Sequence, residues 1–331
     1  MKDGYGREID YLRISLTDKC NLRCRYCMPP RGVRPLRHED ILTLEEIGRV
    51  AAVMASLGVK KIRLTGGEPL VRKGVLELVK ILRGLDGIQE LSMTTNGILL
   101  VPLAAPLKAA GLDSVNISLD TLDSRVYAAL CGEDRLSDAL NGIEAAGHAG
   151  LSRKINCVPV RGFNDAGLKE IAALARDTAL DVRFIELMPL GEGSLFRGIA
   201  SDELLSEFSR AFGKPQRLSG DISRGPAVYY RFPGFSGRVG FISPLSHKFC
   251  QSCNRVRLTA EGYLKLCLQY ADGISLREPL RNGITDEALR ELILSAVKRK
   301  PAAHSFSDMA ERENSSAGCA KEQRKMVQIG G

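Results

Sequence analysis

Three closely spaced cysteines near the N-terminus are the residues best suited to chemistry. Cys20, Cys24 and Cys27 have a C-x3-C-x2-C spacing and follow an apolar run over residues 11–16. Cysteine thiolates hold iron–sulfur clusters, and a four-iron cluster ligated only by protein needs four of them. Three thiolates leave one iron open, and an open metal position can bind a substrate or cofactor. The alternative is a zinc site with a distant fourth ligand, although zinc favours repeated C-x2-4-C pairs.

A second cysteine triplet lies in the C-terminal part of the sequence. Cys250, Cys253 and Cys267 have a C-x2-C-x13-C spacing with no obvious fourth cysteine partner. The same reasoning predicts a second cluster with an open iron. On spacing alone, a zinc site completed by His247 is the alternative.

Two arginines and the overall charge predict an anionic partner. Arg255 and Arg257 follow Cys253 of the second triplet, and the period of two along a strand places them on one face. Arginine forks match phosphate geometry. The chain has a net charge of +8, no tryptophan, and no basic stripe interleaved with aromatic residues. A phosphorylated small molecule is therefore a better expected partner than nucleic acid.

The composition is that of a globular protein. The chain has 331 residues, of which 44% are hydrophobic and 26% charged. No apolar run approaches the roughly 18 residues of a membrane helix, and the polar N-terminus shows no signal peptide. We therefore expect a cytoplasmic protein without a membrane partner. Its nine cysteines are expected to be metal ligands or thiols rather than disulfides, with Cys131, Cys157 and Cys319 as buried or incidental thiols.

Strand-like and helix-like segments alternate through the first two-thirds of the chain. This alternation predicts parallel strands with helical crossovers. Eight such units would complete a TIM barrel, so six predict an α/β fold with a partial (β/α)6 barrel. The six predicted strands span residues 9–17, 60–65, 91–95, 114–119, 154–158 and 182–187.

Polar clusters follow most of these strands at the point where each strand ends. In such barrels the chemistry lies at the carboxyl ends of the strands, so we expect these clusters to share one rim. They are the first cysteine triplet, residues 66–69, 94–97 and 118–120, and Met188.

The pattern changes after residue 190, where a glycine-rich link begins. We predict a barrel over residues 1–190 and a region with the second cluster and the substrate site over 191–299. Residues 300–331 are predicted to form a polar, mobile tail. A helix is expected over 201–212, with Ser201 as its N-cap.

The motif C-x3-C-x-aromatic-C, with Tyr26 as the aromatic residue, resembles that of the radical S-adenosylmethionine enzymes. The resemblance implies that the open iron chelates the amino and carboxylate groups of S-adenosylmethionine. One electron from the cluster then cleaves it to methionine and a 5′-deoxyadenosyl radical. The family also has a partial (β/α)6 barrel, in agreement with the pattern of elements.

Further segments narrow the resemblance to the branch of this family that cyclises GTP in the first step of molybdenum cofactor biosynthesis. The resemblance implies that the radical removes hydrogen from ribose C3′ and that the carbon radical attacks guanine C8, giving 3′,8-cyclo-7,8-dihydro-GTP. It also implies that the second cluster binds the guanine. The segments are 12–15, 20–29, 63–69, 94–97, 184–188, 249–258 and 329–331.

The resemblance assigns roles to individual positions. It implies two [4Fe–4S] clusters, one on each triplet, and S-adenosylmethionine contacts at Tyr26, Gly67, Ser118 and Met188. The implied GTP contacts are Arg13, Arg63, Thr94, Lys154, Arg255 and Arg257. A triphosphate carries about four negative charges and needs such convergent cations. Lys61 points the same way as Arg63 along its strand and is expected to join them.

The resemblance also implies partners and a role for the end of the sequence. Gly330 and Gly331 are expected to enter the active site and position GTP or the radical, because glycine allows a close backbone approach. An electron donor, the next enzyme of the pathway and a second copy in a homodimer are the expected partners. Two alternatives stay open: a radical S-adenosylmethionine enzyme acting on a peptide or RNA, and a non-catalytic binding protein stapled by zinc.

Overall fold

The computed structural model describes residues 1–218, 225–306 and 322–330. Ten α-helices are present in these ranges: α1 (Leu44–Ser56), α2 (Val75–Arg83), α3 (Leu100–Ala109), α4 (Ser124–Cys131), α5 (Leu136–His148), α6 (Leu168–Asp177), α7 (Ser201–Phe212), α8 (Arg277–Arg281), α9 (Asp286–Lys298) and α10 (Met326–Ile329). The strands are β1 (Tyr11–Ser15), β2 (Lys61–Thr65), β3 (Glu90–Thr95), β4 (Ser114–Ser118), β5 (Ser152–Cys157), β6 (Asp181–Ile185), β7 (Gln216–Arg217), β8 (Val228–Arg231), β9 (Arg238–Ile242), β10 (Arg255–Leu258), β11 (Tyr263–Lys265) and β12 (Gly273–Ser275).

The strands of the described residues form one 12-stranded sheet in the order β12-β11-β10-β1-β2-β3-β4-β5-β6-β9-β8-β7. Strands β1 to β6 are parallel neighbours in chain order, which confirms the predicted partial barrel. Two further parallel pairings with the barrel were not predicted: β10 pairs with β1, and β9, whose residues 238–242 were predicted only as a short strand, pairs with β6. The sheet therefore continues past residue 190, and the division into domains there stays a prediction.

Local sequence signals explain why these elements form. Thr43 and Glu46 make a reciprocal capping box at the start of α1, with hydrogen bonds of 3.1 and 2.7 Å. Leu12 and Ile14 of β1 are fully buried, as Ile62 is in β2, because both strands lie inside the sheet under the helices. Because the apolar side chains of these strands are buried, the polar groups available for a functional site lie mainly in the loops at the strand ends.

Helix α7 begins differently from the prediction. Its N-cap is Ala200, so the prediction that Ser201 caps the helix was wrong. The Ser201 amide donates to Oε1 of the buried Glu186 at 3.1 Å, and the Ser201 hydroxyl accepts from Ser243. The Glu186 carboxylate, just after β6, thus accepts a hydrogen bond from the first amide of α7. This long-range contact is not visible in the local sequence.

The described ends of the segment predicted as a mobile tail are packed against the rest of the protein. Lys300, Phe306, Val327 and Ile329 are all buried. Phe306 and Ile329 form a small apolar cluster with Leu190. The expectation of a mobile tail therefore does not describe these two ends.

None of the helices within the described ranges has both the length and the apolar character needed to cross a membrane.

Candidate active site

A cavity of about 680 Å³ is lined by both cysteine triplets. It is also lined by every residue predicted to contact S-adenosylmethionine or GTP, and by Lys61. The residues come from the inward faces of the parallel strands and from the loops that follow them. The structure thus brings the two triplets, which are more than 200 positions apart in sequence, to one space.

The first triplet lies in a tight loop after β1. The Cys27 amide donates to the Cys24 carbonyl at 2.9 Å, and the Leu22 amide lies 3.4 Å from Cys20 Sγ. The loop after β2 lies directly against it, because a Cβ atom at Gly67 would be 2.3 Å from the Lys19 carbonyl oxygen. Only glycine allows this approach, which places the Gly67 backbone beside the cysteines.

Burial keeps the thiols of this triplet neutral until a cation binds. It raises the pKa of Cys20 to about 12 and also raises the pKa of Cys27. Contact with the buried Cys131 thiol, and then burial, raises the pKa of Cys24. Metal binding replaces the thiol protons and supplies the positive charge that the thiolates need. The donor set therefore fits an iron–sulfur cluster.

The described residues contain no group of three His, Cys, Asp or Glu side chains that converge on a single ion. Three thiols that bind separate corners of a cluster lie farther apart than the ligands of one zinc ion. His247, the ligand expected in the zinc alternative, has its Nε2 at 2.9 Å from Asp202 Oδ2 and does not line the cavity. His247 is therefore not placed to complete a metal site in this cavity.

The second triplet lies in a positively charged environment. Burial alone would raise the pKa of Cys253, but Lys300 and Arg255 outweigh it and lower that pKa to about 7. The Cys250 carbonyl accepts a hydrogen bond of 2.8 Å from Arg7, and the buried Lys300 donates to the Arg255 carbonyl at 2.9 Å. Two cations from distant parts of the chain thus hold this loop.

Strand register produces a row of arginines on the inner face of the sheet. Arg13 of β1 is in register with Arg257 of β10 on one side and with Arg63 of β2 on the other. Burial, followed by repulsion from Arg255, lowers the pKa of Arg257 to about 10. Burial, followed by repulsion from Arg257, lowers the pKa of Arg13 as well. Crowded cations of this kind are stabilised by a polyanion.

Arg183 of β6 also lines the cavity, and the sequence analysis missed it. Its guanidinium donates to the side-chain oxygens of Asn116 and Asn156, with an Nε–Oδ1 distance of 2.9 Å to Asn156. Burial and then the charge of Arg63 lower its pKa. An arginine between the apolar residues Val182 and Phe184 of a predicted strand was the signal that could have revealed it.

Two buried carboxylates belong to the polar clusters predicted at the strand ends, although no role was predicted for either. Asp120 accepts from the Tyr26 hydroxyl at 2.6 Å and from the Val158 amide at 2.8 Å. Glu68 accepts from the Thr95 hydroxyl at 2.7 Å and from the Asn96 amide. Burial raises the pKa of Asp120 to about 6 and that of Glu68 to about 7. These contacts tie together the loops that carry the site residues.

The segment 322–330 reaches the site from another direction. Arg257 Nη1 donates to the Gly330 carbonyl oxygen at 2.8 Å. Gly330 has a φ of 73°, and a Cβ atom there would lie 2.7 Å from Thr65 Oγ1. Glycine is thus required at this position both for backbone conformation and for space. Gly331, predicted to act with it, lies outside the described residues.

Comparison with known proteins agrees with this geometry. A family model described as Radical SAM superfamily matches residues 14–175, and one described as Molybdenum Cofactor Synthesis C matches residues 180–306. The chain is 48% identical over 311 residues to a GTP 3′,8-cyclase of Peptoclostridium acidaminophilum, covering 92% of this chain and 94% of that protein. It is 45% identical over 336 residues to a GTP 3′,8-cyclase of Clostridium perfringens (strain 13 / Type A), covering 100% of both.

The chain belongs to the GTP 3′,8-cyclase family. Membership favours the GTP-cyclising branch over the peptide or RNA alternative. Among solved structures, Streptococcus suis SuiB bound to S-adenosylmethionine is similar, with a TM-score of 0.63 and 13% sequence identity, covering 92% of this chain and 75% of that chain. At this identity the likeness concerns the fold alone, and it supports the partial barrel.

Proposed function

We propose that this protein is a radical S-adenosylmethionine GTP 3′,8-cyclase, a lyase that converts GTP to 3′,8-cyclo-7,8-dihydro-GTP in the first step of molybdenum cofactor biosynthesis. The observation that carries the proposal is the cavity that both cysteine triplets and the arginine row line together. A radical source and a polyanion site in one space match the chemistry of the family.

Cys20, Cys24 and Cys27 hold one [4Fe–4S] cluster, and Cys250, Cys253 and Cys267 hold the other. When bound, the first cluster supplies the electron that cleaves S-adenosylmethionine to a 5′-deoxyadenosyl radical. Tyr26, Gly67, Ser118 and Met188 contact S-adenosylmethionine, and all four line the cavity. Asp120 orients Tyr26 through the 2.6 Å hydrogen bond described above.

The basic residues bind the triphosphate and orient GTP. Arg13, Arg63 and Lys154 supply cations, and the Thr94 hydroxyl supplies a further polar contact. Burial and repulsion between these cations mean that an anion binds them more tightly than it would bind the same groups in water. Arg183 adds positive charge to the same cavity.

The reaction joins ribose C3′ to guanine C8 of the same molecule, so both ends of GTP must be held. Cations on β1, β2, β5 and β10 hold the triphosphate end, and the second cluster would bind the guanine end, as the family resemblance implies. Holding both ends turns cyclisation into a positioned intramolecular step. Gly330, whose carbonyl accepts from Arg257, and Gly331 are proposed to help position GTP or the radical.

Other parts of the proposal rest on the family resemblance. The protein works in the cytoplasm as a homodimer, receives electrons from a donor protein, and passes its product to the next enzyme of the pathway.

The direct test is anaerobic incubation of the reconstituted protein with GTP, S-adenosylmethionine and dithionite, followed by mass spectrometry. We expect 5′-deoxyadenosine together with a cyclised nucleotide of the same mass as GTP. Formation of 5′-deoxyadenosine with GTP left unchanged would contradict the proposed substrate.

A further inference from the structure

The segment 322–330 contains little that could hold it in place by apolar contact alone. Its helix α10 has four residues, and the described segment has two buried apolar side chains, Val327 and Ile329. A helix this short is not stable by itself. Its position must therefore come from specific contacts with the rest of the protein.

A buried ion pair supplies the first of these contacts. Lys265 Nζ of β11 contacts Glu322 Oε2, and the two side chains are 0% and 2% exposed. Lys265 Nζ also donates to the Tyr270 carbonyl at 2.6 Å, and the Glu322 amide donates to the Gln269 carbonyl at 2.9 Å. Both charged groups have hydrogen-bond partners, which is the condition for keeping a charge pair buried.

Two further cations extend this attachment along the segment. Arg324 bridges Glu322 and Glu261 with N–O distances of 2.9 and 2.7 Å. Lys325 Nζ lies 2.7 Å from Glu192 Oε1, in the turn after β6. We call the contacts of Glu322, Arg324 and Lys325 the latch. The latch holds the start of the segment at two separate places.

The other end of the segment reaches the site. Met326 lines the cavity that both triplets share, and the Gly330 carbonyl accepts from Arg257. Lys265 itself is two residues before Cys267. A shift of the segment at the latch would therefore move its contacts within the site.

A buried ion pair adds little net stability compared with apolar residues of the same size, but loss of one partner is costly. Its advantage is specificity, because the two charges are paired in only one register of the segment against β11. We propose that Lys265 and Glu322 are positioning residues, which dock the segment 322–330 in the single register that brings Gly330 to Arg257. The inference rests on the proposed function only for its activity readout.

The experiment uses the full-length protein reconstituted with iron and sulfide under anaerobic conditions. The variants are Lys265→Met, Glu322→Met and the double variant, in which two unbranched apolar side chains replace the pair. The control is Glu77→Gln, which removes an ion pair whose partners, Glu77 and Lys80, are both 63% exposed. Hydrogen–deuterium exchange of the peptide containing residues 322–331 measures docking without reference to activity.

We expect each single variant to exchange about 10- to 100-fold faster in this peptide, because one charge is left buried without its partner. Iron content and exchange in β1 to β6 should stay unchanged. The single variants should form 5′-deoxyadenosine with at least about 10-fold less cyclised nucleotide per turnover. The double variant should regain protection from exchange in this peptide. It should regain only part of the coupling between 5′-deoxyadenosine formation and GTP cyclisation, because apolar side chains fill the space without fixing the register.

Unchanged exchange and coupling in both single variants would overturn the proposal, and so would equal effects in the Glu77→Gln control. Where Glu322→Met lowers the iron content, Glu322→Gln replaces it, because it keeps the volume and removes only the charge. If the wild-type protein does not cyclise GTP, the proposed function fails, while the exchange data still decide whether the latch docks the segment.

Discussion

At the scale of single residues, the two cysteine triplets differ in their neighbours. Cys24 lies beside Tyr26 and the buried Asp120, among the expected S-adenosylmethionine contacts. Cys267 belongs to the triplet next to Arg255 and Arg257. From this difference we expect the first triplet to serve radical generation and the second to serve substrate positioning.

Replacing Cys24 by Ser should abolish both the reductive cleavage of S-adenosylmethionine and GTP turnover, because it removes a ligand of the cluster that supplies the electron. Cys267→Ser should still form 5′-deoxyadenosine but no cyclised nucleotide. Chromatography of the nucleoside and nucleotide products checks both outcomes. A normal rate of cyclisation by Cys267→Ser, with its first cluster shown intact by EPR, would contradict this division.

A second prediction at this scale concerns Arg257. It contacts Gly330 and stands in the arginine row, so Arg257→Ala should weaken GTP binding by about 10-fold or more without removing either cluster. Equilibrium binding of GTP to the reconstituted variant, with iron analysis of the same sample, measures both effects. Binding equal to that of the wild type would exclude Arg257 from the GTP site.

At the scale of elements, the site depends on how loops lie against one another. The loop after β2 contacts the cysteine loop through Gly67, and the N-terminal segment contacts the second triplet through Arg7. Neither contact joins residues that are neighbours in sequence.

Gly67→Ala should reduce 5′-deoxyadenosine formation by roughly 100-fold, because the added methyl group displaces the loop by about 1 Å. The matched control is Gly84→Ala, where the new Cβ atom would be 3.5 Å from its nearest neighbour, an ordinary contact. The rates at which the two variants cleave S-adenosylmethionine measure the effect of the added methyl group. Equal rates in both would show that the close approach at Gly67 is unimportant.

Arg7→Met should lower the affinity of the second triplet for its cluster. Arg7 donates to the carbonyl oxygens of Cys250, Pro301 and Ala302, and its side chain is 8% exposed in a pair with the buried Asp3. We expect iron to fall from about 8 toward about 4 per chain, with the first cluster retained in EPR. Arg37→Met, which removes a cation that is 69% exposed, should keep about 8 iron per chain. A full iron content in Arg7→Met would contradict the expectation.

At the scale of the whole molecule, one curved sheet joins both triplets. Strand β10 lies between Cys253 and Cys267 of the second triplet and pairs with β1, which precedes the first triplet. The described parts of the chain therefore bring both triplets to one cavity.

Anaerobic reconstitution should load about 8 iron per chain, because each triplet holds a four-iron cluster. Metal analysis by mass spectrometry, together with sulfide determination, tests this count. A stoichiometric zinc content with about 4 iron or none would refute the model with two clusters. Removal of iron by chelation should abolish cyclisation.

The sequence alone was enough for features set by neighbouring residues. The spacing of Cys20, Cys24 and Cys27 and the alternation of six strands with helices are local features, and the predicted alternation agrees with β1 to β6 of the structure. The capping box of Thr43 and Glu46 is likewise formed by residues three positions apart. Within the described residues, every residue to which the resemblance assigned a role lines the cavity except Gly330. Local spacing and period carry this information without any knowledge of the fold.

Only the tertiary structure decided how distant residues meet. The pairing of β9 and β10 with the barrel, the register that aligns Arg13, Arg63 and Arg257, and the latch at Glu322 depend on contacts between distant segments. Sequence period shows which residues share a face of a strand, but it does not show which strands are neighbours or in which register. For the same reason the prediction of Ser201 as the N-cap of α7 was wrong. The N-cap is Ala200, and the Ser201 amide donates to Glu186, which follows β6. Long-range packing selects one arrangement among many that the local pattern allows.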